Sequence, residues 1–394
     1  MTPLDWLASL EGSGIRPGLD RMRALLRALG RPQHACPSII VAGTNGKGST
    51  SATLASILRA AGYRTGLYTS PHLVELRERW TIDGAMIEPA ALDEAIDVLQ
   101  AAAERAGITP TYFEALTLLA FIAFARAKCE VVVLEVGMGG RLDATNVVRP
   151  LAALITPIGF DHMEYLGNTI RKIAAEKAGV IHRGAIVLTT NDDPEVLDVI
   201  ERRARKFGSP VVHVTTTHDT PLAGEFQRRN AALAVAAARA LVKQLPRIDE
   251  DAIDRGVAAT RWRGRLERLR VHDKDIWIDG GHNAHAVAAI QPFLERIPRP
   301  RLLVFGIMSD KDVHDVVAAL FPLFDRVIAT EPYPPRSMRA EALVKLGGAN
   351  VTAIAEPENA FAAALEGPEA SVVVAGSLYL AGAAIAFFDK IAQP

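Results

Sequence analysis

The sequence predicts an α/β protein in two parts. A P-loop ATPase-type domain with a mostly parallel sheet spans residues 1–264, and a smaller Rossmann-like α/β domain spans residues 265–394. Three observations predict this. Short apolar runs alternate with helical stretches along the whole chain, the pattern of parallel strands covered on both faces. The first such run, Ser38 to Ala42, enters a glycine-rich turn with a lysine, Gly43-Thr44-Asn45-Gly46-Lys47-Gly48-Ser49-Thr50, and then a helical stretch. The alternation restarts after Arg261-Trp262-Arg263-Gly264-Arg265, with no second loop of that kind.

The glycine loop is the feature around which the chain is organised. Glycines let backbone N–H groups approach phosphate oxygens, the helix start adds partial positive charge, and the lysine reaches the outer phosphates. The common form is G-x-x-x-x-G-K-[ST]. Here Gly43 and Gly46 precede Lys47 at shorter spacing, and the hydroxyls of Ser49 and Thr50 follow Gly48. Gly46, Lys47, Gly48 and Ser49 are therefore candidate nucleotide-binding residues.

The remaining elements follow in order. Pro17 to Gly30 reads as a helix, with Leu19, Met22, Leu25, Leu26 and Leu29 on one face. After the loop come a helix from Ser51 to Ala61 and a strand from Thr65 to Tyr68. Val74 to Gly84, charged and carrying Trp80, reads as a surface loop ending in Asp83-Gly84. Helices are expected over Pro89 to Ala106 and from Thr111-Tyr112-Phe113-Glu114 to Ala127. Strands follow at Val131 to Val136, Leu151 to Thr156, Ala185 to Thr189 and Pro210 to Val214. Helices near Thr169 to Ala178, from Asp193 to Phe207 and from Phe226 to Leu241 complete the first part.

The 394 residues suffice for two or three domains. A composition of 49% hydrophobic and 23% charged residues is ordinary for a globular chain. The formal net charge of −1 gives no general pull towards nucleic acid. Two cysteines make no disulfide framework, no apolar run approaches the ~18 residues of a membrane span, and the N-terminus lacks a signal-peptide pattern. These features point to a cytoplasmic protein that binds neither nucleic acid nor membrane.

Ligands bind such sheets at the carboxyl ends of strands. Ser70, Glu135 and His162 stand at three of those ends and are candidate magnesium ligands. Glu135 is followed by Gly137-Met138-Gly139-Gly140, which leaves space for a ligand. Asp161 is placed to orient the His162 imidazole. Lys177, near a helix end, reads on its own as a solvated residue.

Taken together, G-T-N-G-K-G-S-T, T-S-P-H-L, T-Y-F-E, L-E-V-G-M-G-G-R-L-D-A-T-N, G-F-D-H-M-E-Y-L-G-N-T-I, A-A-E-K-A-G-V-I, F-Q-R-R-N-A-A, G-R-L-E and D-G-G-H-N occur in that order. This set resembles the folylpolyglutamate synthase/dihydrofolate synthase family of the Mur ligase superfamily, from about Gly18 to about Lys311. The resemblance implies that Gly46, Lys47, Gly48 and Ser49 hold the phosphates of ATP. It implies further nucleotide contacts from Asn230, Arg265 and Asp279, and places His282 close to the catalytic cleft. It makes Ser70, Glu135 and His162 ligands of two Mg²⁺ ions and Lys177 a carbamylated lysine, which replaces the solvated reading of Lys177. Thr111, Tyr112, Phe113, Glu114, Leu142, Asp143 and Ala144 match the pterin site, with Phe113 stacking on the ring and Asp143 accepting from it. Ile15 to Gly18 is expected to line the same pocket, and Ser70 to Gly84 to be a mobile loop. The chain departs from the family at Trp262-Arg263-Gly264-Arg265, often W-P-G-R, and at Asp279-Gly280-Gly281-His282-Asn283-Ala284, usually D-G-A-H-N-P.

The implied reaction is addition of L-glutamate to dihydropteroate or a reduced folate through an acyl phosphate, with Lys47, Lys177, Arg265 and His282 as catalytic groups. The second domain is expected to close over the first, and the protein to act as a monomer. Two other readings compete: a Mur-type ligase acting on another carboxylate, and a nucleotide-binding NTPase without ligase chemistry. A dehydrogenase is weaker, because no G-x-G-x-x-G opens either part.

Overall fold

A computed structural model describes residues 2–14, 16–333 and 335–392. The chain divides into two compact units. One comprises the residues up to Ser70, Arg77–Pro221 and Arg229–Thr260; the other comprises Pro71–Leu76, Leu222–Arg228 and the chain from Arg261 onward.

The first unit holds β1 (Ser38–Ala42), β2 (Thr65–Tyr68), β3 (Trp80–Ile82), β4 (Ala85–Met86), β5 (Val131–Glu135), β6 (Ala152–Ile155), β7 (Ile186–Thr189) and β8 (Val211–His213). They form one eight-stranded sheet in the order β4-β3-β2-β5-β1-β6-β7-β8. The strands from β2 to β8 in that order pair in parallel. β1, β2, β5 and β6 are buried along their whole length. That is why β1, β5 and β6 read as nearly unbroken apolar runs rather than alternating ones. β3 and β4 add an antiparallel edge.

Two expectations change here. The segment from Val74 to Gly84 is not simply a surface loop. Its last part is β3 and the turn to β4, Trp80 is fully buried, and its indole Nε1 donates to the Leu116 carbonyl at 3.0 Å. Nor does the helix after the glycine loop start at Ser51. It spans Lys47–Ala60, so the loop's own lysine, glycine and hydroxyl residues form its first turn. A further helix, Glu250–Ala258, packs on it, and the Ser56 hydroxyl donates to the Gly256 carbonyl.

The second unit has β9 (Glu267–Val271), β10 (Lys274–Ile278), β11 (Arg301–Phe305), β12 (Arg326–Ala329), β13 (Val351–Ala353) and β14 (Ser371–Ala375). Their order is β13-β12-β11-β14-β10-β9, parallel except for the β9–β10 hairpin. Two apolar layers cover the faces of this sheet, one centred on Phe305, Phe321 and Leu343, the other on Phe361, Ile385 and Phe388. Among the described residues no helix is long and apolar enough to cross a membrane.

Candidate active site

The chain leaves β1 in the middle of the first sheet and turns at once. The Thr44 and Asn45 N–H groups donate to the Pro157 carbonyl at 3.0 and 3.3 Å, and the Thr44 hydroxyl accepts from the Gly159 N–H at 3.0 Å. The glycine loop is thereby stitched to the segment after β6. Gly46 has φ +88°, a left-handed conformation that favours glycine, and a Cβ there would collide with the Asn230 side-chain oxygen. Asn230 is buried on the helix Glu225–Ala240, so the structure brings this predicted nucleotide contact against the loop. The Lys47 ammonium donates to the Thr44 carbonyl at 3.1 Å. Gly48, Ser49 and Thr50 are buried in the first helical turn, and the hydroxyls of Thr50 and Ser51 are buried there without a protein partner.

Lys177 lies on the same loop. It is only 4% exposed on the helix Ile170–Ala178, and its Nζ donates to the Gly43 carbonyl at 2.8 Å. Burial, and then the nearby Lys47 charge, push its ammonium down to about 7, against the opposite pull of Asp161 and Asp143. A solvated lysine would show none of this.

Glu135 is the last residue of β5, between β2 and β1, and is buried rather than at an edge. Its Oε2 accepts from the Ser70 N–H at 3.2 Å, so Ser70 and Glu135 are brought together. His162 has φ +50° at the start of the short helix Met163–Leu166. Its own N–H donates to Asp161 Oδ1 at 2.9 Å, and its Nε2 stands 3.9 Å from Oδ2. Asp161 therefore positions the backbone of His162, since that imidazole distance exceeds a hydrogen bond. Among the described residues no three His, Cys, Asp or Glu side chains converge as a metal site. The predicted set contributes only one residue of each of two such types, Glu135 and His162.

The matched pterin segments have clear local duties. Thr111 and Glu114 form a capping box on the helix Tyr112–Arg126: the Thr111 hydroxyl accepts from the Glu114 N–H at 3.3 Å, and Glu114 Oε2 accepts from the Thr111 N–H at 2.8 Å. Arg21 also pairs with Glu114 at 3.0 Å. The Tyr112 N–H donates to the Ser13 hydroxyl at 3.0 Å. Phe113 is half-buried, its ring over Gly137 and 6.4 Å from the Tyr68 ring. Asp143 is buried and holds its own loop. Oδ1 accepts from the Thr145 N–H and hydroxyl at 3.0 and 2.6 Å, and Oδ2 from the Met138 N–H at 3.0 Å. Burial pushes its carboxyl up, against those hydrogen bonds. Leu142 beside it is exposed and Ala144 is buried. Ile15 lies outside the described residues.

This loop docks on the helix that carries Lys177. The Arg141 N–H donates to the Glu176 carbonyl at 2.8 Å, its guanidinium pairs with the Glu176 carboxylate at 2.8 Å, and Asn146 Nδ2 donates to the Arg141 and Gly179 carbonyls at 3.0 and 3.2 Å. Sequence reasoning passed over Tyr68 and Arg79. Both are buried, and the Tyr68 hydroxyl, 3.2 Å from that of Thr117, feels the charges of Arg79, Asp143 and Glu135. The available signal was position: Tyr68 ends β2 on the ligand side of the sheet.

In the second unit Asp279 follows β10 and is buried. Its oxygens accept from the Leu266 N–H at 2.9 Å and the Gly281 N–H at 2.7 Å. Burial pushes its carboxyl up while Arg265 pulls it down. Arg265 lies against Gly280 and donates to the Gly264 carbonyl at 3.2 Å. His282 Nδ1 is 2.9 Å from the Gly280 carbonyl, so that nitrogen carries a hydrogen there. Arg263, where the family often has proline, forks onto Asp389 at 2.6 and 2.9 Å.

Comparison with known proteins agrees with this layout. Residues 41–221 match the Mur ligase middle domain, and residues 264–378 match the Mur ligase glutamate ligase domain. The dihydrofolate synthase/folylpolyglutamate synthase of Bacillus subtilis is 33% identical over 95% of this chain and 95% of its own length. A probable bifunctional folylpolyglutamate synthase/dihydropteroate synthase of Halobacterium salinarum is 38% identical over 95% of this chain, which spans only 50% of that longer relative. The structure of E. coli FolC in complex with DHPP and ADP superposes with a TM-score of 0.90 at 32% identity, over 99% of this chain and 98% of that one. With the phosphate loop, the buried lysine beside it and both Mur domains in order, the chain belongs to the folylpolyglutamate synthase/dihydrofolate synthase family of Mur ligases.

Proposed function

We propose that this chain joins L-glutamate to dihydropteroate, or to a reduced folate, at the expense of ATP. The observation that carries the reading is Lys177: a lysine buried on the carbonyl of a phosphate loop, with its ammonium pushed down to about 7. Such an amine is substantially neutral at neutral pH and can attack CO₂. The neutral amine forms the new N–C bond as one C–O π bond of CO₂ opens onto its oxygen. One N–H proton leaves to water, after the proton the ammonium gives up first, and the lysine ends as an anionic carbamate with oxygens to offer a metal.

The residues present fit divalent magnesium once that change is made, since Ser70, Glu135 and the carbamate supply oxygens, which Mg²⁺ prefers. His162 completes the set. Bound magnesium would neutralise phosphate charge. The chain's own residues do the rest. Gly46, Gly48 and Ser49 present N–H groups to the phosphates, and the buried hydroxyls of Thr50 and Ser51 are further donors close to them. Lys47 holds the outer phosphate. Asn230, Arg265 and Asp279 contact the nucleotide. Phe113 packs on the pterin, whose pocket also includes Tyr112, Leu142 and Ala144, and whose walls are fixed by Thr111, Glu114 and Asp143.

The substrate carboxylate attacks the γ-phosphorus, the bond to ADP breaks, and an acyl phosphate forms. The glutamate amine then attacks the acyl carbon and inorganic phosphate leaves, with the amine's proton passing to a base such as His282. Charge neutralisation and alignment supply most of the acceleration. The test is a substrate panel. ATP, Mg²⁺ and glutamate are incubated with dihydropteroate or with tetrahydrofolate, and products are followed by mass. ADP release that needs both glutamate and a pterin acid is expected. Equal ADP release without either would overturn the reading and favour a plain NTPase.

A further inference from the structure

The stretch Thr189-Thr190-Asn191-Asp192, at the carboxyl end of β7, carries none of the roles assigned above. Asn191 is half-buried there and reaches to the chain that leaves the neighbouring strand β6. Its Oδ1 accepts from the Ile158 N–H at 2.8 Å. Its Nδ2 donates to the carbonyls of Ile155 and Thr156 at 3.2 and 3.0 Å and to the Thr189 hydroxyl at 2.8 Å. That hydroxyl donates in turn to the Ile155 carbonyl at 2.9 Å. Turning the amide over would set its oxygen against two carbonyls and its nitrogen against an N–H, so the network admits one orientation.

The turn that Asn191 holds, residues 155–158, bears the phosphate loop on its other side. The Thr156 N–H and hydroxyl donate to the Ala42 carbonyl at 2.8 and 3.3 Å. The Pro157 carbonyl accepts from Thr44 and Asn45, and the Thr44 hydroxyl both donates to the Gly159 carbonyl and accepts from the Gly159 N–H. Asp161 and His162 follow directly. The neighbours of Asn191 brace a second support. Arg229 Nη2 donates to the Thr190 carbonyl at 2.7 Å and to Asp192 Oδ2 at 3.1 Å. The next residue on that helix is Asn230, whose side-chain oxygen lies against Gly46. The turn offers one N–H and two carbonyls, and a primary amide answers both kinds of group from one rigid plane. A site must be held to within about 0.5 Å by such bonds to keep its donors on the ligand.

We propose that Asn191 is a positioning residue for the nucleotide, a role that rests on reading the glycine loop as an ATP site but not on which acid and amine are joined. By fixing the turn after β6 it sets where Thr44 and Asn45 of the phosphate loop stand, and where His162 stands beyond them. Arg229, through Thr190 and Asp192, gives Asn230 the matching support. Asn191 itself touches neither the loop nor the ligand; it acts through the turn.

The test is Mg·ADP binding to the full chain by calorimetry, with urea unfolding and steady-state kinetics alongside. Asn191→Asp keeps the side-chain shape and the acceptor for the Ile158 N–H, but puts an oxygen where Nδ2 faced the Ile155 and Thr156 carbonyls. The turn is then pushed away. Mg·ADP should weaken about tenfold, and the KM for ATP should rise by a similar factor while the KM for the pterin acid stays unchanged. Asp193→Ala controls for lost stability alone, because Asp193 caps the helix Pro194–Phe207 through the Glu195 N–H at 2.7 Å. It should unfold earlier and bind Mg·ADP as the wild type does. If Asn191→Asp does not fold, Asn191→Ser, which removes the donors without adding a charge, should weaken Mg·ADP in the same direction. Wild-type affinity in a folded Asn191 variant, or a loss that Asp193→Ala shares, would overturn the proposal. A wild-type chain that binds Mg·ADP but fails the substrate panel would strike the ligase reading alone, and the affinity ratio between wild type and Asn191→Asp would still judge the role of Asn191.

Discussion

Gly140→Ala tests whether the long glycine-rich motif positions Lys177 by close backbone contact. An added methyl would meet the carbonyl oxygens of Glu176 and Lys177 at 2.9 Å each and a Val180 methyl at 3.0 Å. Ordinary C···O approach begins near ~3.3 Å, so the helix end must retreat by about 0.4 Å. Neither oxygen can rotate away, because both are backbone, and the Glu176 carbonyl is also held by the Arg141 N–H at 2.8 Å. Overpacking of this kind costs about 1–3 kcal/mol. The retreat also draws Lys177 from its 2.8 Å contact with the Gly43 carbonyl. Misplacement by ~1 Å can cost about a hundredfold in rate, so a loss of about tenfold in kcat is expected here. Urea unfolding and coupled ADP release measure the two effects. Gly107→Ala is the control. Gly107 has φ +62° with open space around it, so its alanine variant should lose about 1 kcal/mol of stability and no activity. If Gly140→Ala kept its full kcat at whatever stability it has, the docking argument would be wrong.

The remaining predictions concern single residues. Lys177 titrates near 7 in the fold and near ~10.4 in the unfolded chain, so between those values the unfolded chain binds the extra proton. In CO₂-free buffer wild-type stability should therefore rise by about 1.4 kcal/mol per pH unit across that window relative to Lys177→Met. A constant difference would show Lys177 charged in the fold. Thr111→Ala should cost about 1 kcal/mol of stability with kcat kept, whereas Phe113→Ala should raise KM for the pterin substrate about tenfold; steady-state kinetics and unfolding separate the two. Glu135→Gln keeps the side-chain volume and should raise the Mg²⁺ concentration for half-maximal rate at least about tenfold, read from a magnesium titration. Asp143→Asn should lose about 1–3 kcal/mol, because its amide would face the Met138 N–H with a donor. Unchanged stability with a raised pterin KM would instead make Asp143 a pure substrate ligand.

Much of the fold was legible because parallel strands buried on both faces leave unbroken apolar runs between turn residues. β5, β6 and β7 lie where those runs place them, as does the helix Pro89–Ala106, framed by proline and glycine. The failures have physical causes. β3 holds three residues, and the charged stretch Glu75 to Arg79 before it masks a strand whose indole is buried by a distant helix. The helix from Lys47 opens on Lys-Gly-Ser-Thr, of which Gly, Ser and Thr are weak helix formers that tertiary packing overrides. β9 was legible in principle: Leu269 and Val271 alternate with Arg268 and Arg270, both of which pair with Asp275. In T-Y-F-E, the spacing of Thr111 and Glu114 is a capping box that a family match alone conceals.

That last case bears on how a motif should be weighed. In Leu134 to Asn146, Glu135 alone stands in the predicted metal set. Gly137 lies under Phe113, Gly140 and Arg141 dock on the helix of Lys177, Asp143 ties Met138 to Thr145, and Asn146 bridges to Gly179. Most of the motif's length therefore fixes where a few reactive atoms stand relative to one another. A lysine with a depressed ammonium needs burial on several sides, and burial on several sides needs glycines and paired carbonyls at fixed places. The motif is long because that enclosure is specified residue by residue.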